Sequence, residues 1–389
     1  KGSDSSLKPI LLMGHMDVVP VSPGTEKDWK YDAFAGKRDG EHIYGRGTLD
    51  DKLAVVSQME AAELLLKEGF QPKRTIFLAY GHDEEIGGKN GAVVIAKHLE
   101  ERGVQLEFIL DEGGAIVEGL VPFVSGPVAL IGVAEKGYLS IEISAGGEGG
   151  HSSIPPKHTA IGVLSQAIVD LENNLPQARS SQSRLFFDEV GPQMPFGPRI
   201  LFANLWLFGP ILRAVLSDLP SMDASQRTTT AVTMVSGGVK DNVLPQSAKA
   251  TINFRILPGE SVQSTIDHVT KVVNTDVIGV EPLVDGGTGF GSEPSVVSST
   301  DGLGFKRIRH AARRAKQVED MVVAPYLVLG ATDARHYARL SQDIFRFIPY
   351  TLRKGDLGRI HGTNERIAID DYFTTVRFFH ALMKDAAAQ

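Results

Sequence analysis

The stretch RTIFLAYGHDEEIGG, residues 74–88, joins an apolar run to three adjacent acids that lie between glycines. Asp83, Glu84 and Glu85 repel one another, so their clustering costs stability unless solvent or a cation offsets the repulsion. We interpret the cluster as part of a metal site that follows a strand.

The first third of the chain alternates short apolar runs with helical patterns. We predict strands over residues 9–13, 74–80 and 107–110, and helices over residues 52–68 and 91–102. Strands that alternate with helices are typical of an α/β fold, in which helices cover the faces of a parallel sheet.

Polar clusters follow each of these three strands, as GHMD, GHDEE and DEGG. Ligands of open parallel sheets bind beyond the carboxyl ends of the strands. Six side chains are therefore expected at one edge of the sheet: His15, Asp17, Glu84, Glu85, Asp111 and Glu112.

A second pattern begins near residue 136, with the order strand, helix, strand, strand, helix, strand. This is the order of a ferredoxin-like unit. We predict an inserted α+β domain over 136–288, and a parallel-sheet domain formed by 1–135 and 289–389. Residues 180–228 have weak periodicity, and we assign no element to them.

The composition bounds the class of protein. A chain of 389 residues exceeds the size at which one hydrophobic core keeps growing, so more than one domain is expected. The net charge of −7, and the lack of a basic stripe interleaved with aromatic residues, argue against nucleic acid as a partner. The absence of cysteine leaves His, Asp and Glu as the possible metal ligands.

The most apolar region, residues 195–216, contains charged residues and internal prolines and falls short of the ~20 apolar residues of a membrane span. We interpret it as core or domain-interface packing; the wall of an apolar substrate pocket and a membrane-touching flap are the alternatives. The chain starts almost directly on a strand without a signal-peptide pattern. Removal of an upstream segment is one interpretation, and the compartment is not readable from the sequence.

A site for two divalent cations needs ligands for each ion and a carboxylate between them, because the ions repel. One distant histidine, in RIHGTNERI at residues 359–367, is expected to return to the same edge of the sheet. The candidate set is His15, Asp50, Glu85, Asp111 and His361.

Eight motifs together resemble the zinc metallopeptidase family of carboxypeptidase S, aminoacylases and N-acyl amino acid hydrolases, and most closely the carboxypeptidase S branch. They are GHMDVVP, IYGRGTLDDK, GHDEEIGG, LDEGG, GHSSIPP, TINFRILPG, GATDARHY and IHGTNERI. The resemblance covers nearly the whole chain. It implies a phosphorylase/hydrolase-like catalytic domain with an inserted ferredoxin-like domain that serves as lid and dimerisation domain.

The resemblance also implies two Zn²⁺ ions per subunit, bridged by Asp50 and by a water or hydroxide. His15 and Asp111 correspond to the ligands of one ion, and Glu85 and His361 to those of the other. Relatives differ over which acid of LDEGG they use, so Glu112 is the alternative to Asp111, which the carboxypeptidase S branch favours.

Three further residues take catalytic roles by the same resemblance. Asp17 corresponds to the carboxylate that orients a ligand histidine, and Glu84 to the general base. His151, in the inserted domain, corresponds to a histidine that stabilises the oxyanion in a neighbouring subunit, which implies a homodimer; a cap or turn role is the alternative.

Substrate contacts are expected from the inserted domain and from the GATDARHY motif. Arg255 is a candidate clamp for the substrate carboxylate, with a structural salt bridge as the alternative. Family-like positions add Asn242, Gly330, Thr332 and Asp333. Arg335 and His336 stay open between substrate contact and structure.

The activity that this resemblance implies is cleavage of the amide bond in peptides or N-acyl amino acids that carry a free C-terminal carboxylate. The alternatives are a long-chain N-acyl amino acid hydrolase or synthase, a ureido-type amidohydrolase, and a catalytically silent relative that binds metal. A vacuolar or secretory location would also agree with the resemblance.

Overall fold

The computed structural model describes residues 1–179, 181–204, 206–209, 220–284 and 291–388. The strands are β1 (Ile10–His15), β2 (Lys37–Arg38), β3 (His42–Tyr44), β4 (Ile76–Gly81), β5 (Ile109–Asp111), β6 (Ile116–Val117), β7 (Val128–Glu135), β8 (Gly137–Gly146), β9 (Gly150–His151), β10 (Thr229–Gly237), β11 (Val243–Leu244), β12 (Ser247–Ile256), β13 (Ile278–Pro282), β14 (Val322–Val328), β15 (Ile344–Arg346), β16 (Thr351–Leu352) and β17 (Arg366–Ala368). The α-helices of the described residues, numbered here in order, are α1 (Lys52–Lys67), α2 (Ala92–Glu101), α3 (Ala160–Asn173), α4 (Ser181–Val190), α5 (Phe196–Ala203), α6 (Pro220–Ala224), α7 (Val262–Val272), α8 (Leu303–Lys316) and α9 (Ile369–Ala387).

The main sheet has the strand order β16-β6-β7-β15-β5-β1-β4, with β14 also paired to β7. Strands β4, β1, β5 and β15 run parallel to one another. Successive side chains of a strand point to opposite faces. Ile10 and Leu12 of β1 therefore join the core beneath α1 and α9, whereas Leu11 and Met13 join the core beneath α2. This confirms the predicted α/β fold with a parallel-rich sheet, and it places the ends of β1, β4 and β5 at one edge.

The second sheet is antiparallel and has the order β10-β12-β8-β13. Its own core contains Leu139, Ile141 and Ile143 of β8, which pack against Leu164 of α3 and Val269 of α7. The chain order β8, α3, β10, β12, α7, β13 with this strand arrangement is ferredoxin-like, as the sequence predicts. The predicted boundary at 288–289 lies outside the described residues.

Two parts of the molecule depart from the predicted elements. Strand β7 was not predicted, although its eight residues are almost all buried, and it runs into β8 with only Lys136 between them. Helices α4, α5 and α6 occupy the region without a prediction. Phe187 and Val190 of α4 belong to the core of the main sheet, so this helix packs with that sheet although it lies within 136–288.

The described part of the apolar region 195–216 is divided between core and surface. Phe202 of α5 stacks on Phe187 with ring centroids 4.1 Å apart, whereas Phe196 and Trp206 are exposed. Residues 205 and 210–216 of this region lie outside the described residues. Among the helices that the structure does describe, none combines the length and the apolar character needed to span a membrane.

A small antiparallel sheet joins the beginning and the end of the chain. Strand β3 pairs with both β2 and β17, and it aligns Tyr44 with Arg366. This pairing brings the turn after β3 next to the loop that carries His361. The second candidate histidine thereby reaches the edge of the main sheet, as the sequence predicts.

Candidate metal centre

The first ligand group comprises His15, Asp50 and Glu112. His15 is the last residue of β1 and is buried. Its Nε2 atom lies 2.9 Å from Asp50 Oδ1 and 3.4 Å from Glu112 Oε1. One imidazole nitrogen and two carboxylates thus converge at the carboxyl end of β1, within the separation that one metal ion could bridge.

The second ligand group comprises Asp50, Glu85 and His361. The Nε2 atom of His361 lies 2.8 Å from Asp50 Oδ2 and 3.4 Å from Glu85 Oε2. Asp50 belongs to both groups, and it presents Oδ1 to the first and Oδ2 to the second. One carboxylate therefore lies between the two groups.

The donor chemistry of these residues fits divalent metal ions. Each group offers one imidazole nitrogen and two carboxylates, and its ligand atoms all lie within 4.8 Å of one another. Such ligands suit Zn²⁺ and also Co²⁺ or Mn²⁺. A carboxylate shared by two groups is the element that offsets the repulsion between neighbouring cations.

The structure brings Glu112, and not Asp111, into the first ligand group. Asp111 is the last residue of β5, and its Oδ2 accepts a hydrogen bond of 2.9 Å from the Ala334 backbone N–H. Adjacent side chains of an extended segment point in opposite directions, so only one of the two acids can face His15. The geometry therefore favours the alternative acid, Glu112, over Asp111 in the first ligand group, and the identity of the ligand stays a prediction.

Asp17 contacts residues of both ligand groups. Its Oδ1 lies 3.3 Å from Nδ1 of His15, and its Oδ2 accepts a hydrogen bond of 3.0 Å from the Glu85 backbone N–H. A carboxylate on the second imidazole nitrogen orients the ring and makes its other nitrogen a better ligand. The same Nδ1 atom lies closer, at 3.1 Å, to the backbone carbonyl oxygen of Asp17, so the orienting role of the Asp17 carboxylate stays a prediction.

Glu84 lies in neither ligand group but shares their electrostatic surroundings. Burial raises the pKa of Glu84 to about 8; the charges of Asp333, Asp111 and Glu85 act in the same direction, and His15 acts against them. Burial also raises the pKa of Asp333 to about 7, and the nearby Asp111 adds to it. A carboxyl group with a pKa near neutrality can both accept and donate a proton.

The glycines that flank the acid cluster have a steric role. Gly88 has φ of +70°, and a Cβ atom there would lie 2.1 Å from Asp333 Oδ1. The turn that carries Glu84 and Glu85 is a short 3-10 helix that ends at Gly87, which has φ of +101°. Glycine at these positions permits the left-handed backbone and the close approach of the buried acid.

A polar cavity of about 540 Å³ lies between the second sheet and the main sheet. Arg255 of β12 lines it, and its guanidinium lies 4.9 Å from the ring centroid of Tyr138. Burial lowers the pKa of Arg255. Lys89 and Arg335 line the same cavity, so three cationic side chains contribute to its wall, together with one acid, Glu293.

The other expected substrate contacts do not line this cavity. Thr332 is buried and donates from its backbone N–H and its hydroxyl to Glu135 Oε2, at 2.9 and 3.0 Å. Asp333 is buried behind the glycine turn, and Asn242 and Gly330 are exposed elsewhere. Their neighbours Arg335 and His336 line the cavity instead. Substrate contact by Asn242, Gly330, Thr332 and Asp333 stays a prediction.

His151 is exposed in β9, which pairs with β11. Its Nδ1 atom lies 2.8 Å from Ser153 Oγ, so its nearest side-chain contact is local. The structure does not bring His151 into either ligand group of its own chain.

An apolar cavity of about 270 Å³ adjoins the ligand groups. Its walls include Gly113, which follows Glu112, and Ile360, which precedes His361. The remainder of the wall is largely apolar and comes from several elements: Val117, Leu120, Val121, Leu130, Phe186, Phe187, Met222, Tyr326, Leu327, Tyr350, Leu352 and Leu357. No sequence pattern predicted the contributions of α4 and α6, because the periodicity of residues 180–228 is weak.

The ligand groups, the neighbouring acid and the parallel-rich sheet define a metal-dependent hydrolase. Residues 11–385 match the family described as Peptidase family M20/M25/M40, and the chain belongs to this family. It is 45% identical over 387 residues to Probable carboxypeptidase S-like 2 of Dictyostelium discoideum, covering 99% of this chain and 73% of the relative. It is 39% identical over 393 residues to N-fatty-acyl-amino acid synthase/hydrolase PM20D1 of Xenopus tropicalis, covering 99% of this chain and 74% of the relative.

The fold also resembles solved structures. The M20 family metallo-carboxypeptidase Sso-CP2 from Sulfolobus solfataricus superimposes with a TM-score of 0.65 and 18% sequence identity, covering 98% of this chain and 85% of that chain. At this identity the similarity concerns the fold alone.

Proposed function

We propose that the protein is a two-metal amidohydrolase that cleaves amide bonds next to a free carboxylate, in peptides or N-acyl amino acids. The observation that carries the proposal is the position of Asp50, whose two oxygens contact histidines of different ligand groups at 2.9 and 2.8 Å. We propose Zn²⁺ as the native metal. His15, Asp50 and Glu112 would hold one ion, and Asp50, Glu85 and His361 the other.

The proposed chemistry assigns proton transfer to Glu84. Bound divalent metal ions supply two effects: they lower the pKa of water and they polarise a carbonyl group. Glu84 accepts a proton from the attacking water and returns it to the departing amine. Burial, which raises the pKa of Glu84, makes this carboxylate a better proton acceptor than an exposed one.

Substrate orientation is assigned to the polar cavity. Arg255, Arg335 and Lys89 supply positive charge there, and a guanidinium can bind a carboxylate through two parallel hydrogen bonds. The substrate carboxylate would lie in this cavity, with its amide bond toward the ligand groups. The relative from Dictyostelium is named as carboxypeptidase-like, which agrees with a substrate that binds through its free carboxylate.

The region 136–288 is proposed to contain a lid and dimerisation domain. Its antiparallel sheet has a separate core, and its edge strand β10 exposes Met234 and Val235. An exposed edge strand offers unpaired backbone groups to a second copy. His151, exposed on the same domain, would then serve the site of the partner subunit.

A long apolar acyl group is the second candidate for the substrate, because the apolar cavity adjoins Glu112 and His361. The Xenopus relative is named for N-fatty-acyl amino acids. Each methylene that leaves water contributes about 0.8 kcal/mol, or roughly fourfold in kcat/KM. We expect kcat/KM to rise with acyl length until the cavity is filled.

Variants of one wall residue test this second candidate. Met222→Trp should lower kcat/KM for long acyl chains and spare short ones, because it fills the cavity. The control Met59→Trp changes an exposed residue of α1 and should leave the chain-length profile unchanged. Higher kcat/KM for short unmodified dipeptides, with no increase for longer acyl groups, would exclude a long-chain N-acyl amino acid as the substrate.

A substrate panel tests the proposed function itself. Protein of measured metal content would be assayed on dipeptides, N-acyl amino acids and ureido compounds, next to Glu84→Gln. The variant should keep its metal and lose about 10²- to 10⁴-fold in kcat. Unchanged turnover by Glu84→Gln would show that Glu84 is not the general base. Preference for ureido compounds would favour a ureido-type amidohydrolase. Inactivity of the metal-loaded parent protein would favour a catalytically silent relative that binds metal.

A further inference from the structure

Arg46 and Glu365 form a buried ion pair directly behind the second ligand group. Arg46 Nη1 lies 2.6 Å from Glu365 Oε2, and the two side chains are 2% and 0% exposed. Arg46 follows β3, and Glu365 precedes β17, so the small sheet holds them together. Burying two charged groups has a large desolvation cost, so a buried ion pair is by itself weak evidence that the pair stabilises the fold. The remaining hydrogen bonds of the pair indicate another role.

The free oxygen of Glu365 binds the backbone at the shared ligand. Its Oε1 accepts hydrogen bonds from the backbone N–H groups of Leu49, at 2.8 Å, and of Asp50, at 3.3 Å. Asp50 is the residue whose carboxylate belongs to both ligand groups. Glu365 therefore fixes the backbone from which the shared carboxylate projects.

The second amino group of Arg46 binds the backbone at the other end of the group. Its Nη2 donates a hydrogen bond of 3.1 Å to the carbonyl oxygen of His361. The His361 side chain is half exposed, so packing alone does not fix it. Its φ of +59° lies in the left-handed region, which is unfavourable for a residue with a Cβ and persists only where surrounding contacts impose it.

We infer that Arg46 and Glu365 act as a clamp that positions Asp50 and His361 for the second metal ion. This inference rests on the proposed two-metal function, and it adds two positioning residues that contact neither metal nor substrate. The two amino groups of the Arg46 guanidinium donate to different partners: Nη1 to the Glu365 carboxylate and Nη2 to the His361 carbonyl oxygen. A lysine ammonium keeps the charge but lacks this planar fork.

The test compares Arg46→Lys and Glu365→Gln with the parent and with Arg74→Lys. Arg74 is a matched control, because Arg74 and Arg46 are each 5% exposed when the whole residue is counted, and Arg74 also bonds a glutamate and backbone carbonyls. It precedes β4, at the amino end of the sheet, away from the ligand groups. Zn²⁺ would be titrated into metal-free protein in competition with a chelator.

Arg46→Lys and Glu365→Gln should weaken binding of one Zn²⁺ by about 10- to 100-fold, the usual effect of losing a partner behind a metal ligand. Arg74→Lys should bind both ions as the parent does. At saturating Zn²⁺ the clamp variants should regain much of their kcat. Thermal unfolding of the metal-free forms separates lost stability from lost affinity.

Parental Zn²⁺ affinity in both folded clamp variants would overturn the inference. If Arg46→Lys does not fold, Glu365→Gln decides alone, since it is isosteric, removes the charge and replaces one acceptor oxygen by an NH2 donor. A parent protein that binds fewer than two ions would instead contradict the proposed function. The two failures are thus distinguishable.

Discussion

At the residue scale, the two adjacent acids of LDEGG at the carboxyl end of β5 have different surroundings. Glu112 Oε1 lies 3.4 Å from His15 Nε2, whereas Asp111 Oδ2 accepts a hydrogen bond from the Ala334 backbone N–H. Which acid faces His15 depends on the phase of the pleat at the last residue of β5. Asp111 accepts its hydrogen bond from Ala334, which lies more than 200 residues further along the chain. No local sequence pattern predicts that contact.

Paired substitutions should separate the two acids. Glu112→Gln should weaken metal binding by about 10- to 100-fold, because it removes a charged group from the first ligand group. Asp111→Asn should leave the affinity near the parental value and lower stability, because the buried contact with Ala334 weakens. Zn²⁺ titration and thermal unfolding of both variants would check this. A larger loss of affinity in Asp111→Asn would restore the original expectation.

At the element scale, the strands and helices with clear periodicity were predicted to within a few residues. The first helix was predicted over residues 52–68 and spans Lys52–Lys67. Strand β7 was missed, because a strand buried on both faces shows no alternation between apolar and polar residues. The helices after residue 180 were missed because the periodicity there is weak; α5 includes Gly197 and Pro198, and α4 packs on β14 of the main sheet.

Lys136, at the junction of β7 and β8, should give stability a measurable pH dependence. Its Nζ donates hydrogen bonds to the carbonyl oxygens of Ala224, at 2.9 Å, and Arg227, at 2.8 Å. Burial lowers the pKa of Lys136 to about 8, and the charge of Arg255 adds to this, while Asp223 and Glu260 oppose it.

The sign follows from proton binding. Between about pH 8 and pH 10.5 the unfolded state binds more protons at this lysine than the folded state does. The free energy of unfolding should therefore rise with pH in this window, by on the order of 3 kcal/mol relative to Lys136→Met. Denaturant unfolding of both proteins across this pH range measures the difference. Parallel pH profiles of parent and variant would contradict the assignment.

At the scale of the whole molecule, the two sheets were both predictable from the order of their elements. Their mutual placement was not, because the cavity between them depends on residues as distant as Lys89, Arg255 and Arg335. Assembly is a property of the same scale. His151 is exposed and lies in neither ligand group of its own chain, so its proposed role requires a second copy.

Complementation between inactive variants should reveal that second copy. His151→Ala and Glu84→Gln should each have little activity, and mixing them under conditions that exchange subunits should restore part of it. A mixed dimer has one site with its own Glu84 and the partner's intact histidine. Activity assays on the mixture, with light scattering to establish the oligomeric state, check this. Dimers that exchange subunits without any recovery would exclude delivery across the interface.

The central claim is that one carboxylate, from Asp50, holds two metal ions at the carboxyl edge of the main sheet. Elemental analysis of fully active purified protein, next to Asp50→Ala, measures this most directly. The account predicts two divalent ions per active chain and loss of tightly bound metal in the variant. Full activity with one ion or none, or an unchanged metal content in Asp50→Ala, would contradict it.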